Sequence, residues 1–104
     1  MKWGRLNEHN LKARIREIMG TYLDLSEYEV FVFGSRAAGN ATERSDIDIG
    51  IEGPERIPGA MMMDIQDALE DLPYLQKIDV VDMHTVEPKK YQVMTQHTEP
   101  LVYE

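Results

Sequence analysis

The sequence predicts an α/β (α+β) fold, a short mixed β-sheet with helices packed against it. Three observations carry this reading. Segments with strand character alternate with segments of helical spacing along the chain, which is the pattern of a sheet covered by helices. Two of the strand-like runs, EVFVF and DIDIGI, are rich in β-branched, aromatic or alternating apolar residues. The chain has 104 residues, of which 42% are apolar, enough for one small core and one domain spanning residues 1–104.

The elements follow in order. Residues 8–24 carry Leu11, Ile15, Ile18 and Met19 at helical spacing, with Tyr22 and Leu23 extending the stripe. Lys12, Arg14, Arg16 and Glu17 are assigned to the opposite, solvated face. Gly20 either lies near the end of this helix or is tolerated within it. Residues 29–33 read as a buried strand closed by Gly34. Residues 46–51 alternate strictly, so Ile47, Ile49 and Ile51 share one face and belong in the core. Gly53, Pro54, Pro58 and Gly59 mark a loop.

A second helix over residues 60–72 turns Met61, Met62, Ile65, Ala68, Leu69 and Leu72 inward and stops at Pro73. One of the three successive methionines is expected at the surface. Asp64, Asp67, Glu70 and Asp71 form a solvated face. Residues 77–83 read as a third strand. Glu87-Pro88 opens a further helix over residues 88–97. The tail PLVYE is a last strand or an interaction segment, and Tyr91 reads as a packing residue.

Composition excludes several classes. Eleven basic against nineteen acidic residues give a net charge of −8. Such a surface repels phosphate backbones and anionic lipid, so standing nucleic-acid binding and membrane association are disfavoured. The absence of cysteine removes disulfides, thiolate metal sites and thiol nucleophiles. His9, His84 and His97 have no metal-ligand spacing. No apolar run approaches the roughly 20 residues that span a bilayer. The N-terminus, MKWGRLNEHN, is polar and unlike a signal peptide, so a cytoplasmic location is expected.

The informative stretch is GSRAAGNATERSDIDIG, Gly34 to Gly50. In a strand, Asp46 and Asp48 share a face with Cα atoms about 6.5–7 Å apart. Two carboxylates so placed can converge on a hard cation such as Mg²⁺, which commonly takes one or two carboxylates plus substrate phosphates. Gly50 is expected to keep the next position on that face open for a ligand. Gly34-Ser35 follow a buried strand directly, where glycine allows close backbone approach to a phosphate and serine supplies a hydroxyl. A phosphate cradle beside a carboxylate pair suits a nucleoside triphosphate carrying Mg²⁺.

A third carboxylate strengthens the pattern. Asp79 is flanked by Ile78 and Val80 in an otherwise apolar strand, a costly place for a charge without a partner. Asp82, three positions on, should face the other side of a regular strand. Asp79 is therefore preferred over Asp82. A lone DxD also occurs in glycosyltransferases, which are much larger, and in aspartate-nucleophile phosphatases, which lack the upstream Gly-Ser. Calcium-loop spacing is not met.

Gly34-Ser35, ten residues, then Asp46-x-Asp48, with Asp79 in a later strand, resembles the minimal nucleotidyltransferase (MNT) family of the DNA polymerase β-like superfamily. Ala38 and Gly50 depart from the family's usual basic and larger aliphatic residues. The resemblance implies transfer of a nucleoside monophosphate, usually AMP from ATP, to an acceptor hydroxyl. It implies that Asp46, Asp48 and Asp79 converge on two Mg²⁺ ions, with Gly34, Ser35, Arg36 and Ser45 holding the nucleotide. It also implies a helical partner encoded nearby, either a HEPN-type toxin neutralised by adenylylation or a substrate-binding bundle, and so a hetero-oligomer. Two other functions fit the same resemblance. One is a binding module that occludes its partner and keeps a vestigial nucleotide site. The other is a small-molecule nucleotidyltransferase completed by a partner subunit.

Overall fold

A computed structural model describes residues 8–34, 46–72 and 77–101. Helix α1 spans Glu8–Tyr22, strand β1 Glu29–Phe33 and strand β2 Ile47–Glu52. Helix α2 spans Gly59–Glu70 and strand β3 Ile78–Asp82. A 3₁₀ turn at Met83–Thr85 leads to helix α3, Pro88–Met94, and strand β4, Thr98–Pro100. The four strands form one mixed sheet in the order β3-β2-β1-β4. β1 is antiparallel to both β2 and β4, whereas β2 and β3 are parallel. The end of β1 and the starts of β2, β3 and β4 therefore meet at one edge of the fold.

The expected alternation in β2 is present. Ile47, Ile49 and Ile51 are fully buried against Leu11, Ile15 and Met19 of α1 and Ile65 and Leu69 of α2. The opposite face of the sheet carries a smaller cluster, Phe31, Phe33 and Met83, packed against Tyr91 and Met94 of α3. Met61 and Met62 pack on the main core and Met63 is 68% exposed. Asp64, Asp67, Glu70 and Asp71 are exposed. Pro88 opens α3 at its first turn, as its fixed φ and missing N–H favour.

Three expectations need correction. Lys12 is not on a solvated face. It is fully buried and ion-paired with Glu99 of β4. Lys12 borders the Leu11–Ile15–Met19 stripe, and the strand that encloses it comes from the far end of the chain. Gly50 does not leave room for a ligand. A Cβ there would lie 2.6 Å from the Phe31 ring, so Phe31 of β1 fills the space above it. Helix α3 ends at Met94 rather than at residue 97, where the Thr95 hydroxyl and N–H both bond the Tyr91 carbonyl (2.8 and 3.0 Å). The chain then enters β4 at Thr98, before the PLVYE tail. Pro73 and residues 102–104 lie outside the described residues.

Candidate active site

Asp48 stands near the start of β2, on the face away from the α1–α2 core. Its register partner on β1 is Phe33 and its register partner on β3 is Asp79. The parallel register thus places two carboxylates side by side on adjacent strands. Burial, then the charges of Asp79 and Asp46, raise the Asp48 carboxyl above the usual carboxylate range. Lys77 Nζ lies 3.8 Å from Asp79 Oδ1, but both side chains are well exposed, so this pair contributes little.

Gly34 completes the inner wall of the site. Its φ of +77° is one that side-chain-bearing residues rarely adopt. A Cβ at Gly34 would lie 2.6 Å from Asp48 Oδ2. Glycine is required here because the Asp48 carboxylate occupies the space of a side chain. The turn after β1 and the carboxylate of β2 are thus built as one unit.

Asp46 precedes β2 and is exposed, within electrostatic reach of Asp48. Among the described residues, no three carboxylates or histidines gather closely enough to enclose a metal ion. The expected convergence of Asp46, Asp48 and Asp79 is therefore incomplete. Asp46 lies outside the strand that would fix its direction. Asp48 and Asp79 form a pair of hard oxygen donors in register on adjacent strands, with the Gly34 turn against Asp48. That donor set fits Mg²⁺ sharing its coordination with substrate phosphates. Ser35, Arg36 and Ser45 lie outside the described residues.

Asp82 does face the other way. It is buried, accepting Ile57 N–H at Oδ2 (2.8 Å) and His84 N–H at Oδ1 (3.0 Å). Those bonds tie the loop before α2 and the 3₁₀ turn to the end of β3, so Asp82 is structural. Two further polar contacts carry no local sequence signal. The Tyr91 hydroxyl donates to Glu52 (2.7 Å to Oε1), and this bond raises the Tyr91 pKa. The Gln66 side chain of α2 bonds the backbone of β3 on either side of Asp79.

Among the described residues, a mixed sheet of four strands with three helices, a glycine turn after β1 and a carboxylate pair across β2 and β3 define the polymerase β-like nucleotidyltransferase fold. A family model of this class, described as polymerase beta, nucleotidyltransferase, matches residues 15–104, and the chain belongs to that family. No curated protein matches the chain by sequence. Solved structures extend the comparison. One holds a tri-AMPylated HEPN toxin from Shewanella oneidensis in complex with MNT antitoxin. It aligns with a TM-score of 0.70 and 14% identity, over 93% of this chain and 73% of that one. A second, a toxin–antitoxin with AMP-PNP, aligns with a TM-score of 0.67 and 19% identity, over 95% and 75%.

Proposed function

We infer that the chain transfers a nucleoside monophosphate, AMP from ATP, to a hydroxyl of a helical HEPN-type partner protein, and so acts as its antitoxin. The observation that carries this reading is the Asp48–Asp79 pair against the Gly34 turn. Support for the nucleotide comes from family membership and from the fold shared with a toxin–antitoxin structure holding AMP-PNP. Support for the partner comes from the fold shared with an antitoxin whose HEPN toxin is tri-AMPylated.

In this reading Asp46, Asp48 and Asp79 would hold Mg²⁺, which would supply charge neutralisation for the triphosphate. Gly34 and Ser35 would receive the phosphates through backbone and hydroxyl groups, with Arg36 and Ser45 as further candidate nucleotide-binding residues. Asp79, on the edge strand, faces the acceptor. The acceptor oxygen bonds to the α-phosphorus, the bond to the bridging oxygen breaks, and pyrophosphate leaves with the electron pair. The hydroxyl proton passes to a base or solvent. The chain's contribution is alignment and charge placement.

The test is incubation with α-labelled ATP and Mg²⁺, with and without the helical protein encoded beside it, read by intact-mass spectrometry. The expected result is AMP on the partner, lost in Asp48→Asn. A complex that silences the partner unmodified, and still does so with Asp48→Asn, would replace this reading with occlusion.

A further inference from the structure

Among the described residues, β3 is an edge strand, paired with β2 alone. Ile47 N–H donates to the Lys77 carbonyl (2.8 Å), and the register pairs Ile47 with Ile78. In a parallel ladder with this phase, the backbone groups of Lys77, Asp79 and Val81 point to β2. Those of Ile78 and Val80 point outward, where a further strand would lie.

Gln66, in the middle of α2, meets both. Its Nε2 donates to the Ile78 carbonyl at 2.6 Å, and its Oε1 accepts from Val80 N–H at 3.0 Å. The carboxamide stands where the peptide group of a fifth strand would stand. Nε2 also donates to Glu70 Oε2 at 3.0 Å. That bond sets the orientation of the amide, because the nitrogen then faces two acceptors and the oxygen a donor. The residue bracketed by the two backbone bonds is Asp79.

We propose that Gln66 is a positioning residue for Asp79, holding the outer side of β3 so that the Asp79 carboxylate stays beside that of Asp48. The two charges sit in register on neighbouring strands, and their repulsion acts to part β3 from β2. The ladder resists from one side only, and Gln66 supplies the second. The proposal rests on the nucleotidyltransferase reading, since it concerns a divalent-cation and acceptor site on Asp48 and Asp79.

The test uses the full chain, with Mn²⁺ as the probe and amide hydrogen exchange at Val80 as a second readout. Gln66→Met keeps length and helix propensity but cannot bond the strand, and Gln66→Ala is the second variant should Gln66→Met not fold. Leu69→Ala, in the same helix, is the control for lost stability alone. Gln66→Met should speed Val80 exchange and weaken Mn²⁺ binding roughly tenfold, the scale of one lost hydrogen bond. Leu69→Ala should leave Mn²⁺ affinity within about twofold below its melting range, as independent sites do. In the transfer assay Gln66→Met should lower kcat more than it raises KM for ATP.

Wild-type Mn²⁺ affinity in Gln66→Met, despite faster exchange, would overturn the proposal. So would an equal loss in Leu69→Ala. Wild-type protein that binds no Mn²⁺, or Asp48→Asn that binds it undiminished, would instead remove the underlying reading and this proposal with it.

Discussion

Asp79 and Asp82 are three residues apart, and replacing each should have opposite consequences. Asp82→Ala deletes two acceptors, for Ile57 N–H at 2.8 Å and His84 N–H at 3.0 Å. Asp82 is 4% exposed, and its bond to Ile57 is buried. Water cannot readily replace the carboxylate there. Hydrogen bonds to a charged group contribute about 1.5–3 kcal/mol, and a buried donor left unmet costs about 1–3 kcal/mol. The second bond is only partly buried and is counted lower. The loss should therefore be about 2–4 kcal/mol, a large part of the roughly 5–15 kcal/mol that holds a domain folded. At roughly 4–8 °C per kcal/mol for a domain near this size, the melting temperature should fall by about 8 °C or more. Asp82→Asn keeps one acceptor but turns an amide donor toward a backbone N–H, so it should lie between wild type and Asp82→Ala. The assay is urea unfolding, followed by Mn²⁺ binding well below the transition. Asp82→Ala should bind Mn²⁺ like wild type, whereas Asp79→Asn should lose binding without losing stability. An Asp82→Ala midpoint equal to wild type, or loss of Mn²⁺ binding in the folded variant, would refute the structural assignment of Asp82.

Three further outcomes follow from the same geometry. Gly34→Ala must hold a side chain at φ +77°, with its Cβ 2.6 Å from Asp48 Oδ2; calorimetry should show a loss of about 1–2 kcal/mol from the left-handed strain alone, and AMP transfer should fall further because Asp48 is displaced. Asp48 has its carboxyl raised in the fold by burial, Asp79 and Asp46, so its stabilising contribution is full below the ordinary carboxylate pKa and lost as pH rises through the raised value; without divalent cation, Asp48→Asn should flatten that part of a stability-versus-pH curve and unfold at higher urea than wild type at neutral pH. Lys12 is fully buried and ion-paired with the partly exposed Glu99; a methionine of similar length keeps the packing of its stem, whereas truncation leaves a cavity, so Lys12→Ala should lower the melting temperature more than Lys12→Met does.

Much of the architecture is written in local periodicity. The alternation of DIDIGI placed Ile47, Ile49 and Ile51 on the buried face and Asp48 on the other, because side-chain direction in a strand has a strict period of two. EVFVF marked β1 at the same bounds as the structure, since a run bounded by glycine and turn residues leaves little choice. The three-residue offset between Asp79 and Asp82 put them on opposite faces for the same reason, Asp79 beside Asp48 and Asp82 against the Ile57 N–H. What sequence reading missed depends on partners distant in the chain. Lys12 is buried by a strand 87 residues away, and the space above Gly50 belongs to Phe31 through an antiparallel register. The side-by-side placement of Asp48 and Asp79 is likewise a matter of register between β2 and β3, which neither strand specifies alone. Gln66 gave no sign at all, because a lone amide on a helix is ordinary until its strand partner is known.

These long-range features share a purpose. A pair of adjacent carboxylates is an unfavourable thing to fold around, and Asp48 shows the cost in its raised pKa. A fold can keep such a pair only by fixing the backbone beneath it more firmly than the charges push it apart. Here Asp48 is backed by the Gly34 turn, which gives up a side chain to admit the carboxylate. Asp79 is held between the β2 ladder on one side and the Gln66 amide on the other. Asp82 anchors the end of the same edge strand to the loop leading into α2. The rigidity is in the backbone, and the two carboxylates remain free to meet a cation. Asp46 lies just before β2 and, among the described residues, is the one member of the three without such support. It is therefore the carboxylate whose position should change most when a divalent cation binds.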